Sequence, residues 1–141
     1  MTVSARDNYL ATEVLTATPQ KLQLMLIEAA IRLGQQTLVE WQAGREEQAA
    51  ESLVRCQQIV TELICGLNPE KDADLVRRMG GVYLFVFRSL IAAHVERSEA
   101  KLGDALRVLE VERETWQMIC QQLGTRRDEP AQDGAALALD A

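Results

Sequence analysis

The side chains that could do chemistry in this sequence are few and are poorly placed to act together. The chain has one histidine, His94, and three cysteines, at positions 56, 65 and 120. A zinc site needs several Cys or His ligands at close spacing, and a di-iron bundle needs two Glu-x-x-His motifs on inward faces. Because neither pattern occurs, the sequence predicts no metal and no cofactor. The thiols are expected to fill the core, and His94 to lie partly exposed near a helix end.

The carboxylates do not form a reactive centre either. Glu110, Glu112 and Glu114 step around a predicted helix instead of converging, which is typical of a solvated face. We find no glycine-rich phosphate loop and no nucleophile elbow. The sequence therefore predicts a binding protein and not an enzyme.

The composition of the chain indicates which classes of partner to expect and in which cell compartment the protein works. The chain has 141 residues, 48% of them hydrophobic, and a net charge of −6, which argues against nucleic-acid binding. An odd number of cysteines without a secretory signal pattern predicts reduced thiols in the cytoplasm. The apolar runs are shorter than the roughly 20 residues that cross a bilayer, so no membrane insertion is expected.

Apolar periodicity predicts an all-α protein, an antiparallel four-helix bundle over residues 1–124. Residues 1–17 are expected to form a mobile arm with a short helical turn, and residues 125–141 a disordered tail. Thr18 is the predicted N-cap of the first helix, and Gly124 the end of the fourth. The first predicted helix runs from about Pro19 to Trp41 or Gln42, and the second from about Glu46 to Cys65 or Gly66. The third runs from about Asp72 to Glu96, and the fourth from near Ser98 to about Leu123.

The first helix carries two apolar stripes on nearly opposite sides, and only one can face the core of a bundle. We expect the first stripe to face the core and the second to lie away from it. The second would then be covered either by a neighbouring helix or dimer partner, or by the arm or a partner helix in a groove. The first stripe is Leu22, Met25, Leu26, Ala29 and Leu33, and the second is Leu24, Ile27, Ile31 and Leu38.

The third helix is apolar over more than half of its circumference, and Phe85 projects toward its polar side near Arg88. Two adjacent glycines, Gly80 and Gly81, each cost a helix roughly 1 kcal/mol relative to alanine. They indicate either a fray or kink near the helix start, or a close approach by another backbone.

Taken in order, these segments resemble the FliS family of flagellar export chaperones. No single motif is specific, but the order and spacing over about Asn8 to Leu123 are. The resemblance rests on Asn8-Tyr9, Val14 to Pro19, Leu22-x-Leu24-Met25-Leu26, Leu53 to Leu63, Leu67-Asn68, Met79 to Leu90, and Trp116. The chain departs from the family pattern at Ile27, Phe85 and Phe87, where tyrosine is common, and at Leu84, where an acid is common. These changes imply either a client that differs in detail or a more apolar surface.

The resemblance implies a cytoplasmic chaperone that binds the C-terminal region of flagellin, prevents its premature polymerisation and delivers it to the flagellar type III secretion apparatus. It also implies that the arm can occupy part of the client surface, and it leaves room for a weak homodimer. The alternative is a homodimeric helical adaptor, without a secreted client, that pairs through the second stripe. The residues expected to contact the client or the arm are Tyr9, Leu10, Val14, Leu24, Ile27, Ile31, Tyr83, Phe85 and Phe87.

Overall fold

The chain folds into an antiparallel four-helix bundle, as the sequence predicts. The computed structural model describes residues 17–68, 70 and 72–126. Its helices are α1 (Pro19–Gln42), α2 (Glu46–Cys65), α3 (Ala73–Glu96) and α4 (Glu99–Arg126). Each packs against two others, in the cyclic order α1, α2, α3, α4, and the α1–α2 contact is the most extensive. The short joints leave successive helices antiparallel.

The helix starts follow from local capping. The Thr18 side chain accepts a hydrogen bond from the backbone N–H of Lys21 at 3.1 Å, and Pro19 occupies the first helical turn. Asp72 does the same for α3, accepting from the N–H of Leu75 at 3.1 Å. Both caps satisfy backbone donors that have no partner inside the helix.

One arginine, Arg97, links the two interhelical turns at one end of the bundle. Arg97 ends α3 in the left-handed conformation, with φ 49°. Its Nε donates to Glu46 Oε2 at 2.8 Å, and its terminal nitrogen contacts Glu46 Oε1 and the Trp41 carbonyl. The guanidinium carbon also lies 5.6 Å from the centroid of the Trp41 ring, within cation–π range. Arg97 thus ties the α3–α4 turn to the α1–α2 turn.

The fourth helix is longer than predicted. It continues through Gly124 to Arg126. Among the described glycines only Gly44, in the α1–α2 turn, has a positive φ, at 75°. Because Gly124 does not adopt the left-handed conformation that stops a helix, it is part of the last turn of α4. The predicted arm, apart from residue 17, and the tail beyond Arg126 lie outside the described residues, so their mobility and disorder stay predictions.

The placement of the two stripes of α1 was wrong. Leu24, Ile27 and Ile31, which were expected to lie away from the core, belong to the hydrophobic core, and Ile27 has no exposed surface. Of the first stripe only Leu33 is buried, while Leu22 is exposed. The second stripe is therefore covered inside the bundle.

Small residues of α1 explain this burial. A Cβ atom built on Gly34 would come within 2.6 Å of Leu106 Cδ2, so α1 approaches α4 closely there. On the α2 side, the Cys56 thiol donates to the Ala30 carbonyl at 3.2 Å. Ala30 and Cys56 have no exposed surface. With both neighbours this close, the side chains that flank the line through Ala30 and Gly34 are buried as well.

The paired glycines of α3 do not mark a close backbone approach in the described part of the chain. The helix runs unbroken through both. The nearest atom to a Cβ built on Gly80 would be Leu67 Cδ1, a side-chain atom, at 3.7 Å. A Cβ on Gly81 would meet nothing within 4 Å.

Candidate interaction surface

The outer face of α3 is the most apolar exposed part of the described bundle. Leu84, Phe85, Ile91 and Val95 are 40%, 50%, 39% and 81% exposed. Leu84, Arg88, Ile91 and Val95 follow one another at steps of four, three and four residues, which places them in one line along the helix. We call this line, with Phe85 beside it, the α3 stripe.

The opposite face of α3 holds the helix in the bundle. Tyr83, Val86, Leu90 and Ala93 have no exposed surface and belong to the core. The fully buried apolar residues of α3 and the α3 stripe therefore lie on opposite sides of the helix. The buried residues are used for folding, and the α3 stripe is left facing solvent.

A buried polar contact fixes the inner face. Gln23 of α1 donates a hydrogen bond from Nε2 to the Tyr83 hydroxyl, and both side chains are buried. Burial raises the pKa of Tyr83, and the nearby charge of Glu112 adds to this, while hydrogen bonds with Gln23 and Trp116 oppose it. Burial also raises the pKa of Glu112, against a hydrogen bond with Trp116. At neutral pH the Tyr83 hydroxyl is therefore a neutral hydrogen-bonding group.

The charge of α3 differs from that of the chain as a whole. Between Leu75 and Val95 there are three arginines, Arg77, Arg78 and Arg88, and no aspartate or glutamate. Arg77 lies 3.9 Å from Asp74 at the helix start. Within the described residues Arg88 has no ion pair. The outer face of α3 is thus apolar and basic on a chain of net charge −6.

Apolar residues exposed elsewhere are scattered. Leu22 and Val39 lie on α1, Val54 on α2, and Val111 and Met118 on α4. None of these helices brings four such residues together as α3 does. Isolated exposed apolar residues are normal on protein surfaces, whereas a contiguous set marks an interaction site.

Among the described residues, the sequence-predicted contact residues do not come together on one surface. Phe85 is exposed on α3, and Phe87 packs against the core half-buried. Tyr83, Leu24, Ile27 and Ile31 are buried. Tyr9, Leu10 and Val14 lie outside the described residues. Contact of these residues with an arm or a client stays a prediction.

Three exposed residues of the α3 stripe were not among the predicted contact residues: Leu84, Ile91 and Val95. The signal that could have found them is their spacing of seven and four residues around Arg88. That spacing lines up four positions on the side of α3 opposite Tyr83 and Leu90.

The titratable residues form no reactive cluster in the described part of the chain. His94 is exposed in the last turn of α3, as predicted, with its Nδ1 at 3.5 Å from Gln57 Nε2. The three cysteines are free. Cys56 is buried and Cys120 partly buried, but Cys65 is exposed, so the prediction that the thiols fill the core was wrong for Cys65. No group of three or more His, Cys, Asp or Glu that could hold a metal ion occurs among the described residues.

By length and composition alone, α3 is apolar enough to cross a membrane. It is the one such helix found among the described residues. The core helix of a water-soluble protein passes the same test, so a single match is weak evidence. Here the helix packs with one face into the bundle.

The described residues form a four-helix bundle with a packed core and, on α3, an exposed face that is apolar and basic. The comparisons with known proteins give the family. The chain belongs to the FliS family, described as Flagellar protein FliS, whose pattern matches residues 2–123.

Two relatives are similar to the chain over most of its length. One is the flagellar secretion chaperone FliS of Bacillus subtilis, 27% identical over 128 residues, which are 91% of this chain and 93% of the relative. The other is the flagellar secretion chaperone FliS of Campylobacter jejuni, 28% identical over 102 residues, 72% of this chain and 80% of the relative. The resemblance drawn from the sequence is thereby confirmed. Membership in this non-enzymatic family supports an export-chaperone role.

Proposed function

We propose that this chain is a cytoplasmic export chaperone that binds the C-terminal region of flagellin. Binding would keep flagellin from polymerising before export and would deliver it to the flagellar type III secretion apparatus. The observation that carries the proposal, beside family membership, is the α3 stripe. An exposed apolar line on a folded bundle fits a partner that folds as an amphipathic helix on contact.

The proposal also gives the predicted N-terminal arm a role in client binding. Residues 1–17 enter α1 at Pro19, and Tyr9, Leu10 and Val14 give the arm apolar anchors. We propose that the arm covers part of the client surface in the free chaperone and leaves it when a client with more anchors binds. Such competition lowers the apparent affinity by the fraction of molecules that are open.

The adaptor alternative loses its basis. It required the second stripe of α1 to pair with a second copy of the chain. Ile27 and Ile31 are 0% and 3% exposed within the bundle and are not available for pairing. We therefore retain the chaperone proposal alone.

The test is titration calorimetry of the chaperone with a C-terminal fragment of the host's own flagellin. Val95→Asp should weaken binding about tenfold, because a valine that is buried on binding contributes roughly 1.5 kcal/mol or more. Val39→Asp is the matched control. It makes the same change at another exposed valine, on α1, a helix that is not adjacent to α3 in the cyclic order of the bundle, and it should bind as the wild type does. If the wild-type protein does not bind the fragment, the proposed function is wrong.

A further inference from the structure

The α3 stripe has a charge at its centre with no partner on its own helix. On a helix, a side chain meets the residues three and four positions away. For Arg88 these are Leu84, Phe85, Ile91 and Ala92, all of them apolar. Since no ion pair to Arg88 is found among the described residues, the guanidinium stands alone in an apolar line.

A partner that covers the α3 stripe must compensate the positive charge of Arg88. Removing a cation from water without an opposing charge or hydrogen-bond acceptor is costly. A purely apolar helix laid over Leu84 and Ile91 would bury part of Arg88 without compensation. A helix that carries a carboxylate at the matching position would instead form a charge-assisted hydrogen bond in a partly dry site.

We infer that the client segment on α3 is an amphipathic helix with a carboxylate that pairs with Arg88 and so sets the register in which its apolar residues meet Leu84, Ile91 and Val95. This inference rests on the proposed function and specifies the chemistry of its client. Leu84 to Val95 spans about 16 Å at a rise of 1.5 Å per residue, so a partner helix of about three turns covers it. The carboxylate would belong near the middle of those turns.

Other occupants fit the stripe less well. In an antiparallel two-fold pair of α3 helices, a line centred on Arg88 would bring Arg88 against its own copy, and like charges in an interface are costly. An anionic membrane surface is recognised by clusters of four to eight basic residues. The stripe itself holds one, on a chain of net charge −6.

A charge reversal at Arg88 tests the inference. In titrations with the flagellin C-terminal fragment, Arg88→Glu should weaken binding by about five- to tenfold, because it replaces an attraction between opposite charges by a repulsion between two carboxylates. Arg88→Gln should weaken binding by less, because it removes the attraction without adding a repulsion. Arg55→Glu, at an exposed arginine on α2, makes the same change in net charge and should leave the affinity unchanged.

A rescue experiment identifies the opposing carboxylate. Fragments in which each carboxylate is replaced in turn by lysine are titrated against wild-type and Arg88→Glu proteins. One fragment should bind Arg88→Glu better than it binds the wild type, and this coupling should be absent with Arg55→Glu. The affinity of the wild-type pair should also fall with added salt, since part of it is Coulombic.

The contrary outcomes separate the two levels of the proposal. If Arg88→Glu binds the fragment like wild type, the inference is wrong while the proposed function stands, and binding by Leu84→Asp then shows whether the client contacts the α3 stripe at all. Circular dichroism checks that Leu84→Asp is folded, and Val95→Asp replaces it if it is not. Arg88-dependent sedimentation with phosphatidylserine vesicles would overturn the inference in favour of a membrane. A dimer in light scattering that Val95→Asp dissociates would overturn it in favour of a second copy.

Discussion

Helices α1 and α3 are equally long, and both carry more apolar residues than one buried face needs, yet the bundle treats them differently. α1 has its second stripe inside the core, with Ile27 wholly buried. α3 buries one face through Tyr83 and Leu90 and leaves the α3 stripe open. Among the four contacts between neighbouring helices, the α1–α2 contact is the most extensive and the α2–α3 contact the least. A helix with more apolar residues than one buried face needs can therefore bury the surplus in the core or leave it exposed to solvent. The packing of the neighbouring helices determines which of the two occurs.

The largest expected difference in stability between the two helices follows from introducing a charge into each of them. Ile27→Asp should cost several kcal/mol, a large part of a typical total stability of about 5–15 kcal/mol, because the carboxylate finds no partner in the core. Val95→Asp should change the free energy of unfolding by no more than about 0.5 kcal/mol. Thermal unfolding followed by circular dichroism measures both. If Ile27→Asp has the same melting temperature as Val95→Asp, the second stripe of α1 does not belong to the core.

The α1–α2 contact should also make stability depend on alkaline pH. Burial raises the pKa of the Cys56 thiol to about 12, whereas an unfolded thiol titrates near 8.5. Because the folded pKa is the higher one, this stabilisation is complete below the unfolded pKa and is lost as pH rises toward about 12. Between pH 8.5 and 10 the loss should be about 1.5 kcal/mol.

Denaturant unfolding at both pH values measures that loss, and two variants assign it. Cys56→Ala should remove this pH dependence, although it lowers stability at every pH by opening a cavity. Cys65→Ala, at the exposed thiol of the same helix, should keep it. An equal pH dependence in wild type and Cys56→Ala would assign the effect to other groups.

The polar contact between α1 and the inner face of α3 should have a smaller effect. Tyr83→Phe removes the acceptor of Gln23 Nε2 and leaves a buried amide without that bond. We expect a loss of about 1 kcal/mol in urea unfolding. Adding Gln23→Leu to Tyr83→Phe should recover part of it, because the unpaired amide is then gone. No recovery in the double variant would show that Gln23 is satisfied in another way.

Local features of the sequence were enough to predict the helices but not their orientation. Thr18 and Asp72 act as caps through contacts within three residues, so α1 and α3 begin where the sequence predicts or one residue later. Which stripe of α1 is buried depends on Gly34 meeting Leu106, a contact between helices far apart in sequence. The apolar residues of the two stripes do not by themselves show which stripe is buried.

The candidate site was predictable to the same limited extent. The exposure of Phe85 follows from its place on the polar side of α3, and the structure confirms it. Val95 and Leu84 were missed because the local pattern shows that a helix has excess apolar residues but not which of them its neighbours leave uncovered. The neighbours of α3 are α2 and α4, and their contacts are non-local.

The smallest expected difference between the two helices concerns their glycines. In the interior of a helix, alanine is more favourable than glycine by up to about 1 kcal/mol, provided that the added methyl group has room. Gly81 of α3 has that room, since a Cβ there would meet nothing within 4 Å. Gly81→Ala should therefore raise the free energy of unfolding by about 0.5–1 kcal/mol.

Gly34 of α1 is the matched site. An added Cβ would lie 2.6 Å from Leu106 Cδ2 and 3.3 Å from its Cγ, and Leu106 is itself held in the core. Displacing that side chain offsets the helical gain, so Gly34→Ala should show no increase in stability. Urea unfolding of both variants, and of Gly34→Ala combined with Leu106→Ala, measures the difference. The combined variant should lose less than the sum of the two single losses, because the shorter side chain leaves space for the methyl group. Equal gains at both glycines would mean that α1 is no more tightly enclosed than α3 at these positions.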